Sequence, residues 1–174
     1  MTSCYGYYQV FDYDSFKVRR CPNREVIDFK YPKDSLMGVI VEKYPKFAQL
    51  VVKAKFDRRF SDTQGKYTVF ISDYWDQFSS VELEQFDVGK AKEIVASNTV
   101  EGRIRTMDLL TSRASRLNAI DNMGYIHIWL DIRNNQLMQQ NEFVGEQIDA
   151  FNGIIHPLHA TAPPEKTFPV SPEY

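Results

Sequence analysis

The chain has 174 residues, of which 43% are hydrophobic and 25% charged, and its net charge is −2. These values describe a single folded domain. They exclude wholesale disorder, a collagen-like or disulfide-stapled scaffold and a uniformly basic nucleic-acid binder. The 12 Phe, 10 Tyr and 2 Trp are an unusually heavy aromatic load that must fill a core or an interface.

In chain order, Tyr5 to Tyr13 reads as a strand rich in Tyr, Val and Phe, and Phe16 to Arg20 as a second, short one. Pro22-Asn23 signals a turn, and Arg24 to Tyr31 reads as extended. Asp34 or Ser35 can cap a helix in which Leu36, Val39, Ile40 and Tyr44 share a face, with Pro45 as its stop. Phe47 to Phe56 alternates as a strand, setting Ala48, Leu50, Val52, Ala54 and Phe56 against Gln49, Lys53 and Lys55. Ser61 to Gly65 is a loop. Lys66 to Trp75 is a strand with rings on both faces, which predicts cover on both sides.

Asp87 caps a helix presenting Val88, Ala91, Ile94 and Val95. Val100 to Met107 reads as a strand, and Asp108 to Met123 as mostly loop with room for a helical turn. Gly124 to Arg133 carries the strongest alternation. Ile126, Ile128, Leu130 and Ile132 form one face, and Tyr125, His127, Trp129, Asp131 and Arg133 the other. A final helix is expected from Asn135, through Leu137, Val144, Ile148 and Phe151, to a stop at Asn152-Gly153. The last 18 residues hold five of the eight prolines, which argues against a helix or a central strand there. The expected architecture is α+β: a mainly antiparallel sheet with two to four helices packed on it. The division is a domain over 1–155 and an extended Pro-rich tail over 156–174.

Cys4 and Cys21 form no Cys-x-x-Cys motif, which fits a reducing, intracellular setting. The first residues have no basic or apolar region of a secretory signal, and no apolar run reaches the length of a transmembrane segment. No nucleophile elbow, phosphate-binding loop or His-Glu-x-x-His motif is present, so no catalytic residue, metal ligand or cofactor is assigned and no enzyme is expected. His156-Pro157-Leu158-His159 has a metal-like spacing, but the proline breaks helical placement, and two unliganded histidines are the expectation.

Charge is segregated along the chain: the net is +5 over residues 1–60, −4 over 61–100, +2 over 101–120 and −5 over 121–174. Such a bipolar chain can pair with its own copies or turn a basic face to an anionic partner. The basic candidates are Arg19, Arg20, Arg24, Lys53, Lys55, Arg58, Arg59, Arg103 and Arg105. The alternative is that these side chains are spent in surface ion pairs with the acidic segments.

The order of elements over roughly residues 15–151 resembles that of rhabdovirus matrix proteins, especially the short ones of plant-infecting members. The basic strand and turn Phe16 to Arg24, the capped helix at Asp34 to Tyr44 and the hydrophobic segment Phe47 to Phe56 carry the first half of this likeness. Glu101-Gly102-Arg103 and the alternating Gly124 to Ile132 carry the second. The family's lysine-rich flexible tail and Pro-Pro-x-Tyr motif are not found, since Pro163-Pro164 is followed by Glu165-Lys166. The resemblance implies a viral structural protein of the virion and host cytoplasm. It would form homo-oligomers, bind and condense the helical nucleocapsid through its nucleoprotein, and take RNA or an acidic lipid surface as a further partner. Self-association would draw on Pro163, Pro164, Phe168 and Tyr174 in the tail. The other readings are a small RNA-binding accessory protein and, behind it, a metal-dependent hydrolase.

Overall fold

A computed structural model describes residues 31–112 and 114–160. The extended segments expected over 5–30, both cysteines and the end of the tail lie outside the described residues. The rest is α+β, as expected, with six helices and an eight-stranded, mostly antiparallel sheet.

Three short helices come first: α1 (Leu36–Lys43), α2 (Pro45–Lys53) and α3 (Asp57–Ser61). Ser35 caps α1, its Oγ accepting the Gly38 N–H at 3.0 Å and donating to the Pro32 carbonyl at 2.6 Å. The segment expected as a strand over Phe47 to Phe56 is instead largely α2. Its buried residues are Phe47, Ala48, Leu50 and Val51, with Ala54 just beyond, which is the i, i+3, i+4, i+7 stripe of a helix. Pro45 ends α1 and also occupies the first turn of α2, where its missing N–H costs nothing.

Strand β1 (Tyr67–Ser72) leads into a 3-10 segment, Asp73–Gln77, then α4 (Ser80–Glu84) and α5 (Val88–Ser97). Asp87 caps α5, accepting the Lys90 N–H at 2.7 Å. The strand expected over Val100 to Met107 is shorter, β2 (Thr99–Glu101), and gives way to α6 (Thr106–Thr111). The expected loop over 108–123 contains the end of α6, β3 (Ala114–Asn118) and a 3-10 turn. Strand β4 (Tyr125–Asp131) forms where expected. Its buried side chains are Ile126 and Ile128, whereas Ile132 is 87% exposed, so the aliphatic face ends sooner than the alternation suggests.

The expected final helix does not form. Residues 136–150 make three short strands, β5 (Gln136–Gln139), β6 (Glu142–Val144) and β7 (Ile148–Ala150), before β8 (Gly153–His159). Residues 156–159 therefore belong to the sheet, not to a separate tail. Pro157 sits in a central strand because of where it falls along β8. On one edge β7 pairs with 153–155 and β6 with 158–159, and Pro157 lies at the break between them. There its carbonyl accepts the Gly145 N–H at 2.7 Å, and no ladder bond requires its absent N–H.

The strand order is β2-β1-β8-β6-β5-β4-β3, with β1 and β8 parallel and β7 also paired to β8. A bridge between Val100 and Ala119 brings the two ends of this path together, so the sheet curls towards a barrel. Two cores result. Val69, Ile71 and Ile155 pack under α1, α2 and α5. Phe70 and Leu158 face the other way, into an interior shared with Val100, Leu109, Ile126, Ile128 and Leu137. β1 is thus covered on both faces, as its rings predicted.

One side chain ties these layers together. Asn152, fully buried, accepts the Leu36 N–H on Oδ1 at 2.6 Å. Its Nδ2 donates to the Phe60 carbonyl at 2.8 Å and the Asp62 carbonyl at 2.9 Å. The amide so satisfies the free start of α1 and the end of α3 from the turn that opens β8. Gly153 beside it is there for space, since a Cβ would lie 2.5 Å from the Tyr67 carbonyl and 3.0 Å from Leu36. Asn152→Ala is expected to cost about 2–4 kcal/mol, because three buried backbone groups lose their partner at once. Asn152→Asp, which cannot donate, is expected to be no better. Urea denaturation at neutral pH measures both.

Candidate functional site

Of the basic residues proposed as an anion-binding face, six lie among the described residues. Arg19, Arg20 and Arg24 lie outside the described residues, as do Pro163, Pro164, Phe168 and Tyr174. Lys53, at the end of α2, donates to the Glu84 carbonyl. Lys55 follows it with a φ of 60° and is exposed, as is Arg58 on α3. Arg59 makes a two-pronged contact with Asp121 at 3.0 and 3.1 Å, and its guanidinium lies 4.9 Å from the Phe56 ring centre. Arg103 donates to the Phe151 carbonyl at 3.1 Å and pairs with Asp149 at 3.6 Å. Arg105 starts α6, where its backbone N–H is held by Asp108 at 2.8 Å. Two of the proposed contacts, Arg59 and Arg103, are therefore spent in local ion pairs, each modest in energy because the partners are partly exposed.

The two histidines with metal-like spacing face apart. His156 is fully buried, stacked on Phe70 with ring centres 5.1 Å apart, and its Nε2–H donates to the Ile104 carbonyl at 2.8 Å. His159 reaches Asp73 at 3.3 Å. Among the described residues, no three His, Cys, Asp or Glu side chains are placed to share a metal ion. No helix among them is long and apolar enough to cross a membrane.

The most distinctive surface is the outer face of β4. Because β4 alternates, burying Ile126 and Ile128 turns Tyr125, His127 and Trp129 outward; Tyr125 is 54% exposed and Trp129 38%. Arg116 on β3 lies in register with His127, and its guanidinium stacks 3.5 Å from the Tyr125 ring centre, which holds that ring in place. β5 ends at Gln139, opposite Ile128, so it does not run alongside Tyr125 and His127. A groove of about 270 Å³ opens there, walled by Tyr125, His127 and Trp129 and by Asn98, Gln139 and Gln140. A second groove of about 160 Å³ shares Asn98, Gln139 and Gln140 and extends to Tyr74, Trp75 and Glu142. Tyr74 and Trp75 belong to a ring cluster with Phe78 and Phe86, with contacts from 5.3 to 6.4 Å between centres.

Sequence reasoning separates the two faces of β4 but assigns no binding role to the ringed one. Alternating large aromatics on an exposed strand face is the signal that could have found it. Gln139, Asn98 and Arg116 carry no such signal, since they meet the site only through sheet pairing and the packing of α5.

No family model matches the chain, and no curated protein matches its sequence. Among solved structures, a FAS1 domain pair from the insect cell adhesion molecule Fasciclin I is similar, with a TM-score of 0.55 at 16% identity. The match covers 74% of this chain and 50% of that one, so the chain spans about half the length of the domain pair. The likeness is one of fold. It defines the class of architecture as FAS1-like, a helical layer against a curled sheet.

Burial lowers the pKa of His156 from its ordinary value of 6.5, despite the opposing hydrogen bond to Ile104. The folded chain therefore binds fewer protons than the unfolded chain below that value. Stability is expected to be full above about pH 6.5 and to fall towards acid, at no more than about 1.4 kcal/mol per pH unit from this group. His156→Gln, which keeps a donor for Ile104 but does not titrate, is expected to flatten that acid limb in denaturation curves collected from pH 4 to 8.

Proposed function

We propose that the chain is a non-enzymatic recognition module of the adhesion type, which uses its FAS1-like fold as a rigid support for an exposed binding face. The observation that carries this reading is the outward row Tyr125, His127 and Trp129 on β4, with Arg116 stacked beside it. Large rings left in solvent on a regular strand are the residues that supply most of the energy at recognition surfaces. The described fold also supports it, since one of its structural neighbours comes from a cell adhesion molecule.

Nucleocapsid condensation, the role implied by the matrix-protein resemblance, draws on no comparable feature among the described residues. Arg59 and Arg103 are engaged with Asp121 and Asp149, and none of the comparisons bears on that family.

Beads coated with the chain are expected to clump with one another or to attach to a cell layer. The Tyr125→Ala/Trp129→Ala double variant, whose changes lie on the surface, is expected to weaken attachment by at least about tenfold while keeping the melting transition. Attachment that survives the double variant would place the working surface elsewhere. The absence of any attachment by the parent chain would remove the adhesion reading.

A further inference from the structure

Asn152-Gly153 is the one Asn-Gly pair in the sequence. It lies in the turn between β7 and β8 and has a chemistry of its own. A backbone nitrogen that follows asparagine can attack the side-chain amide. Glycine puts no Cβ in the way and reaches the conformations that the attack needs. Here Gly153 N would bond to Asn152 Cγ and close a five-membered imide. The Cγ–Nδ2 bond breaks, and Nδ2 leaves as ammonia with the proton from Gly153. Water then opens the imide to aspartate or to isoaspartate. One water is consumed and one ammonia released, with no change of oxidation state.

The native fold restrains each group that this reaction must move. Asn152 is fully buried. Nδ2, the leaving group, donates to the Phe60 and Asp62 carbonyls while Oδ1 accepts from Leu36, so the plane of the amide is fixed. The backbone is fixed as well: the Asn152 carbonyl accepts the Tyr67 N–H at 3.2 Å, and the Phe151 N–H donates to the Asp34 carbonyl at 2.9 Å. Gly153 passes so close to the Tyr67 carbonyl, where a Cβ would lie at 2.5 Å, that this stretch has no room to turn towards the side chain. Reaction is therefore confined to molecules that open around β8.

The product does not fit the site it leaves. An aspartate carboxylate can still accept from Leu36. It has no hydrogen for the Phe60 and Asp62 carbonyls, and it brings a charge into a fully buried position. Isoaspartate runs the main chain through Cγ, which lengthens the backbone beside the tight contact of Gly153 with Tyr67.

We propose that Asn152-Gly153 is a deamidation site that the native fold keeps silent, and that its reaction in opened chains removes them irreversibly from the folded pool. The residue that ties the layers together thus also limits how often the protein can open and close. The site is separate from the β4 face, so the proposal stands whether or not that face binds a partner.

The test is incubation of the full chain at mildly alkaline pH, in native buffer and in guanidinium chloride above the unfolding midpoint. Peptide mapping then follows every asparagine by mass and by isoaspartate content. Position 152 is expected to convert at least about a hundredfold faster in denaturant, because only the open fraction reacts. Asn122, Asn134, Asn135 and Asn141 are exposed and supply the comparison. Ile40→Val, a mild change in the helical-side core, is expected to speed the native-buffer reaction at 152 about two- to tenfold and to leave those four unchanged. After dilution from denaturant, the chains that fail to refold, separated by size exclusion, are expected to be enriched in aspartate and isoaspartate at 152.

Equal rates at 152 in both conditions would overturn the proposal, since the fold would then not guard the site. So would modified chains that refold with the parent's melting transition, or an unreacted position 152 after long incubation in denaturant.

Discussion

A single buried amide holds the layers of this protein in place. Asn152 bonds to backbone groups of Leu36, Phe60 and Asp62, which lie about ninety residues or more away in sequence. An amide carries an acceptor and two donors, and here each faces the group it needs. Where helices end against a sheet, their last N–H and C=O groups must find partners. This fold meets that need for α1 and α3 from the turn before β8. β8 is then fixed beside β1 by the close approach that only Gly153 allows, and everything laid along β8 follows from that position.

That anchoring explains how β1 can separate two cores. Val69 and Ile71 close the helical side, while Phe70 and His156 stack in the curled interior. The interior is small, and its walls are strands of three to seven residues. Where β5 stops short, the wall of the curled sheet opens beside β4 and leaves a groove there.

The fold class and β4 were legible in the sequence because long elements declare their period. β4 alternates over seven residues, and α5 has both a capping aspartate and a helical stripe. Short elements do not. Phe47 to Phe56 satisfies a period of two and a period of 3.6 together, and Pro45 was readable as a stop before it was readable as a start. Residues 136–150 form strands of three or four residues, too short to show alternation, and the spacing of Leu137, Val144 and Ile148 imitates a helix. Asn152-Gly153 looks like a helix end by composition, and only its distant partners reveal it as a tie between layers. The charges were legible as counts but not as a surface, since Asp121 and Asp149 neutralise Arg59 and Arg103 from far along the chain. The ringed face of β4 was visible, but the groove beside it depends on where β5 ends.

The most direct measurement is amide hydrogen exchange across the chain, compared between the parent and the Asn152→Ala variant. The tie made by Asn152 predicts that the Leu36 amide and its neighbours in α1 and α3 lose protection first, ahead of β3 and β4. Protection of α1 and α3 unchanged from the parent would contradict it.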